Sequence, residues 1–193
     1  MSRAADPLET LQDSLRGAPI IWKGDYPYFI HPISDGIPRM EAEVLRATRD
    51  LIVDMVDWSE IDIVVSVEAM GLPLLAAVGE ATGKPTVVIR KRPYGMEGEV
   101  GVDVSTGYSS STAYINDINP GERILVVDDV ISTGGTLEPL LEALEKMGAI
   151  LKGVIIAIEK GEGRERLAKE RPNWPIYSLA RIDIVEGRVE IVE

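Results

Sequence analysis

Residues 124–136 read Ile-Leu-Val-Val-Asp-Asp-Val-Ile-Ser-Thr-Gly-Gly-Thr. Four apolar residues deliver two adjacent carboxylates, Asp128 and Asp129, to the carboxyl end of a buried strand, and in an open α/β sheet that end faces the ligand crevice. A small loop, Ser132, Thr133, Gly134, Gly135 and Thr136, follows, and helical spacing resumes over 136–147. Glycines let backbone N–H groups converge on one point, the hydroxyls add donors, and a helix N-terminus adds a favourable dipole, so the loop reads as an anion site sized for one phosphate. Ionised carboxylates only accept hydrogen bonds, which suits them to the vicinal hydroxyls of a ribose. A capped strand-to-helix turn explains one aspartate but not two followed by Ser-Thr-Gly-Gly-Thr. The pattern predicts a ribose 5-phosphate site.

The flanking segments place this motif in an open α/β fold. Leu8, Leu11 and Leu15 predict a short amphipathic helix over 7–16, and Val44, Leu45, Leu51, Ile52 and Met55 a longer one over 41–58. From residue 61 strand and helix alternate: a β-branched strand over 61–67, a helix over 71–82 stopped by Gly83, a strand over 85–91, the motif strand, a helix ended by Gly148, and a strand over 152–160. Alternation of this kind calls for a mostly parallel sheet flanked by helices. Residues 1–40 are set apart by a Pro-, Gly- and aromatic-rich stretch, a small N-terminal segment within one domain of 1–193. The stretch 93–112 is rich in glycine, serine and threonine and has few apolar anchors; it reads as a mobile lid or as a surface hairpin, with 99–104 able to alternate as a strand.

The chain has 193 residues, of which 45% are hydrophobic and 27% charged, an ordinary balance for one globular domain. Its formal net charge of -12 opposes nucleic acid and anionic membrane surfaces, so neither is expected as a partner. The absence of cysteine excludes disulfides and thiolate chemistry and fits a reducing compartment. No uncharged apolar stretch approaches membrane length, and the first residues lack the apolar core of a signal peptide; a cytoplasmic protein is expected. Neither an NTPase phosphate loop nor the dinucleotide fingerprint is present, and Gly161-Glu162-Gly163 is too short a match to carry either. Arg90, Lys91 and Arg92 form the main basic cluster of the acidic chain, at a strand end, as solvated surface or as an attraction for a polyanion. His31 is the single histidine, structural or catalytic.

The stretch VVDDVISTGGT (126–136) resembles the 5-phosphoribosyl 1-diphosphate (PRPP) signature of type I phosphoribosyltransferases. Glu68, Ala69, Met70 and Gly71, after the first core strand, resemble that family's diphosphate loop, although Met70 stands where adenine phosphoribosyltransferases usually carry arginine. Arg90 and Lys91 with the following loop, including Glu99 and Tyr108, resemble its basic strand end and flexible catalytic loop. The segment from Tyr28 to Ile33 resembles its base-binding hood, and with Glu159-Lys160-Gly161 the pattern is most like the archaeal hypoxanthine/guanine branch.

The resemblance implies a purine salvage enzyme, a homodimer, that moves ribose 5-phosphate from PRPP to hypoxanthine or guanine. Asp128 and Asp129 would be catalytic and would hold Mg²⁺ through water, Ser132 to Thr136 would bind the 5-phosphate, and Glu68 to Gly71 with Arg90 and Lys91 the diphosphate. Phe29, Ile30 and Lys160 would bind the base, Lys160 by donating to the purine O6. An adenine enzyme remains the alternative. So does a non-catalytic sensor of PRPP or purines, although no helix-turn-helix precedes the first core strand.

Overall fold

In the computed structural model, which describes residues 6–24, 26–105 and 110–192, the chain opens with helix α1 (Pro7–Arg16). Asp6 caps it by accepting from the Leu8 amide at 2.8 Å, and Leu11 and Leu15 turn inward as their spacing requires. Strands β1 (Ile20–Lys23) and β2 (Tyr26–Phe29) pair antiparallel, and a helical turn, α2 (Pro32–Asp35), follows. Each strand has four residues, too few for a period-2 pattern to announce itself. Helix α3 (Ala42–Asp54) ends before Trp58, which instead opens a short 3-10 turn, Trp58–Glu60, capped by Asp57.

The remaining elements are β3 (Ile63–Val67), α4 (Gly71–Thr82), β4 (Thr86–Ile89), β5 (Val100–Ser105), β6 (Ser110–Ile115), β7 (Arg123–Ile131), α5 (Leu137–Lys146), β8 (Ile150–Lys160), α6 (Gly163–Glu170), β9 (Ile176–Val185) and β10 (Arg188–Val192). Among the described residues six strands form the central sheet in the order β10-β9-β8-β7-β3-β4, all parallel but for the antiparallel β9–β10 pair. The chain steps from β3 outward to β4, then returns to β7 and winds the other way through β8 and β9. The winding therefore reverses between β3 and β7, and the crevice of such a sheet opens at the carboxyl ends of those two strands.

Burial on both faces explains the unbroken apolar runs. Ile63, Val65 and Val67 of β3 and Ile124 and Val126 of β7 pack with Leu137, Leu140, Leu141 and Leu144 of α5. Their alternates Val64, Leu125 and Val127 pack with Ile52 of α3 and with Leu75 and Val78 of α4. A third cluster joins Leu11 and Leu15 to Phe29, Ile33 and the outer strands β8 to β10.

The segment 93–112 is not one long irregular loop. Its described residues from Val100 onward, 100–105 and 110–112, belong to the paired strands β5 and β6, registered Val100↔Ile115 through Ser105↔Ser110, which sink Val104, Ala113 and Ile115 into the α5 cluster. Helix α6 and strands β9 and β10 also go beyond the sequence reading. Strand β9 alternates buried and exposed positions through polar residues, and its pattern is weak next to the apolar strands.

Candidate functional site

Asp128 and Asp129 sit half-buried near the end of β7, beside the carboxyl end of β3. Burial pushes the Asp128 carboxyl up to about 6, against the pull of its bonds to Asp129 and of the nearby Lys91 charge. Asp129 is raised as well, first by burial and then by the Asp128 charge, with Asp35 adding to it. The Asp128 Oδ1 accepts from the Asp129 amide at 3.1 Å. Two adjacent carboxyls, both raised by burial in one crevice, form a site that favours a cation or hydroxyl donors.

The loop after β7 turns tightly into α5. Gly134 takes a left-handed φ of 81°, the Thr133 hydroxyl accepts from the Gly135 amide at 3.3 Å, and α5 begins one residue after Thr136. The hairpin docks against it: the Ser105 amide donates to the Gly135 carbonyl at 3.1 Å, and the Thr136 hydroxyl donates to the Ser105 carbonyl at 3.3 Å. A Cβ at Gly135 would lie 2.6 Å from the Ser105 carbonyl oxygen, so this contact requires glycine. Sequence reading contains no sign of Ser105, because its part is played by backbone.

The segment 68–71 crosses from β3 to the N-terminus of α4, with a cis peptide between Glu68 and Ala69. Glu68 does not cap α4. Its carboxylate pairs with Arg90 (Nε–Oε2 3.0 Å) and accepts from the Lys91 amide, so it fixes the basic strand end instead. The exposed Lys91 side chain is close enough to Asp128 for its charge to act there. Arg92 is drawn away to Tyr94, donating to its hydroxyl from Nε at 3.0 Å.

Comparison with known proteins shows the family. The family model described as "Phosphoribosyl transferase domain" matches residues 35–174. The chain is 44% identical over 183 residues, 95% of its length and 98% of the relative's, to a protein of Methanococcus maripaludis named hypoxanthine/guanine phosphoribosyltransferase. It is 47% identical over 186 residues, 96% and 98% of the two lengths, to a protein of the same name from Ferroglobus placidus. The chain belongs to the phosphoribosyltransferase family. Among solved structures, the adenine phosphoribosyltransferase of Rhodothermus marinus superposes with a TM-score of 0.74 at 26% identity, over 91% of this chain and 98% of that one.

On the hood side of this phosphoribosyltransferase, the structure corrects one expectation. Phe29 is buried in the cluster with Leu11 and Leu15, so its ring is part of the hood's core and not an open stacking face for a base. Half-buried Tyr28 lies against it, ring centroids 6.4 Å apart, and donates to Asp35 at 2.6 Å. The Ile30 amide is bound to the Pro19 carbonyl. Lys160 is at the carboxyl end of β8 and donates from Nζ to the Pro27 carbonyl at 2.8 Å, joining sheet to hood. His31 is structural: its buried Nδ1 caps α2 by accepting from the Ile33 amide, and Nε2 lies 3.0 Å from the Ser14 hydroxyl. Glu99 accepts from the amides of Tyr94 and Gly95 and from Asn116, closing the base of the hairpin. Tyr108 lies outside the described residues.

Proposed function

We propose that this phosphoribosyltransferase transfers ribose 5-phosphate from PRPP to N9 of hypoxanthine or guanine. The bond from the sugar C1 to diphosphate breaks, the bond from C1 to N9 forms, and the N9 proton is lost. The observation that carries the reading is the aspartate pair and hydroxyl-rich loop, held together at the switch between β3 and β7 in a chain 44% identical to a relative of that name. Transfer of this kind asks little covalent work of side chains. It needs both reactants held in line and charge placed where diphosphate departs.

In this reading Asp128 and Asp129 accept from the ribose diol and the 132–136 loop holds the 5-phosphate. The Met70–Gly71 amides with Lys91 and Arg90 receive the diphosphate, giving a polyanion local positive charge in an acidic chain. The oxygen-only donor set of the aspartate pair fits Mg²⁺, since both carboxyls are raised by burial and a hard cation offsets that penalty. Among the described residues no group of three or more His, Asp or Glu gathers, so Asp128 and Asp129 would hold the ion with substrate oxygens and water. When bound, Mg²⁺ supplies charge to neutralise the diphosphate. The hairpin and the 93–99 segment close over this crevice and exclude water, a competing nucleophile.

Lys160 reads position 6 of the base, because an ammonium donates to a carbonyl and has nothing to offer adenine's amino group. Incubation with PRPP, Mg²⁺ and each base in turn tests the reading. IMP and GMP with equimolar diphosphate are expected, whereas a higher kcat/KM for adenine supports the adenine alternative. No turnover with any purine leaves the PRPP-sensing alternative.

A further inference from the structure

Gly163 closes the Gly-Glu-Gly run that the site above leaves unused, and it lies directly behind the phosphate loop. Its amide donates to the Ser132 carbonyl at 2.9 Å, and a Cβ on it would fall 2.3 Å from that oxygen and 2.8 Å from the Gly134 nitrogen. One turn along α6, Arg166 donates from Nη2 to the Thr133 carbonyl at 3.2 Å and to Glu138 in the first turn of α5 at 2.8 Å; Glu170 takes its other arm. We propose that Gly163 and Arg166 are positioning residues for PRPP binding, which aim the loop's amides at the 5-phosphate by holding its carbonyls from behind. The inference rests on the reading of 132–136 as the phosphate cradle.

Peptide geometry carries the argument. In a trans peptide the N–H points opposite to the preceding C=O. With the Ser132 and Thr133 carbonyls turned toward α6, the amides of Thr133 and Gly134 point away from it. Among the described residues neither amide donates to a protein acceptor. A flip of the peptide between Thr133 and Gly134 meets little steric resistance, because Gly134 accepts either sign of φ. A flipped peptide would present a carbonyl to the phosphate. The guanidinium prevents this by binding that carbonyl, and its two carboxylate partners hold it on the outer side of the loop, where it is no phosphate ligand itself. Donors fixed before the anion arrives need no reorganisation when it binds.

The test uses Arg166→Ala and Arg166→Lys, with Thr136→Val as a control inside the cradle, and reads KM for PRPP, KM for the base, kcat and Tm. Arg166→Ala is expected to raise the PRPP KM and weaken IMP binding about fivefold to tenfold, the size of one lost hydrogen bond. The base KM and Tm should stay near wild type, and Arg166→Lys should recover part of the loss, since an ammonium can still donate to the Thr133 carbonyl. An unchanged PRPP KM in Arg166→Ala beside a raised one in Thr136→Val overturns the positioning role and leaves the cradle reading intact. Unchanged values in both overturn the cradle reading as well. A parallel rise in both KM values with a lowered Tm also overturns the proposal, because it marks general loosening. Gly163→Ala should act in the same direction as Arg166→Ala, and if it does not fold the Arg166 pair decides alone.

Discussion

Gly71, the first residue of α4, lies so close to Asp128 that a Cβ on it would sit 2.8 Å from the carboxylate Oδ1. The same Cβ would overlap the Ser66 hydroxyl oxygen at 1.9 Å, and among the described residues that buried hydroxyl has no hydrogen-bond partner. Glycine at 71 thus lets a helix N-terminus reach the end of β7. Gly71→Ala should cost about 1–3 kcal/mol through overpacking and should lower turnover by displacing Asp128. Ser66→Ala removes the closest clashing atom, so the double variant should be more stable than Gly71→Ala alone, a coupling read from thermal unfolding. Additive effects would show that the two residues do not share the contact.

His31 gives the hood a pH dependence. Burial lowers its imidazole to about 4, so the folded chain keeps it neutral while the unfolded chain protonates near 6.5. A lowered histidine contributes stability above the unfolded value, and this is lost as pH falls from about 6.5 toward 4. The raised aspartates act in the opposite sense over part of the same window, so the difference between wild type and His31→Asn isolates the histidine. Asparagine can still cap α2 and does not titrate. The Tm difference between the two proteins should therefore change between pH 7 and pH 4.5, with wild type losing more; a constant difference would contradict the assignment.

The crevice was legible in the sequence because its chemistry is local. An apolar strand, two carboxylates and a hydroxyl-glycine loop follow one another between Ile124 and Thr136, and the apolar runs over 63–67 and 153–159 are buried on both faces. What could not be read depends on contacts distant in sequence. Phe29 looks like a stacking ring until Leu11 and Leu15 cover it. Glu68 looks free to face the substrate until β4 brings Arg90 and the Lys91 amide to it. Ser105 and Gly163 act through backbone atoms, for which side-chain patterns hold no signal.

The hairpin predicts a graded exchange pattern. The Ser105 amide is tied to Gly135 and the β5–β6 ladder is paired, whereas 93–99 is held mainly by Glu99. Hydrogen exchange over 93–99 should be fast in the free protein and slow on addition of PRPP and Mg²⁺, with a smaller change at Ser105. Equal exchange with and without ligand would remove the closing role.

Lys160 should govern the choice of base. Lys160→Met removes the donor that can meet O6 but not an amino group, and unpaired buried polar groups discriminate by as much as about 10⁴-fold. The ratio of kcat/KM for hypoxanthine to that for adenine should fall at least tenfold. If the ratio is unchanged and only Tm drops, Lys160 serves the hood through the Pro27 carbonyl and does not read the base.

The aspartate pair is the centre of the account, and turnover of Asp128→Asn and Asp129→Asn with saturating hypoxanthine, PRPP and Mg²⁺ at pH 8 tests it most directly. Losing a charge-assisted contact typically costs about 1.5–3 kcal/mol, so each variant should turn over at least tenfold more slowly. Each should also be no less stable than wild type. The raised carboxyls oppose folding when ionised; at Asp128 that penalty is fully present above about pH 6 and relieved below it, whereas asparagine avoids it at every pH. Slow, well-folded variants are the expected result. Wild-type rates in both would contradict the placement of the reaction at the junction of β3 and β7.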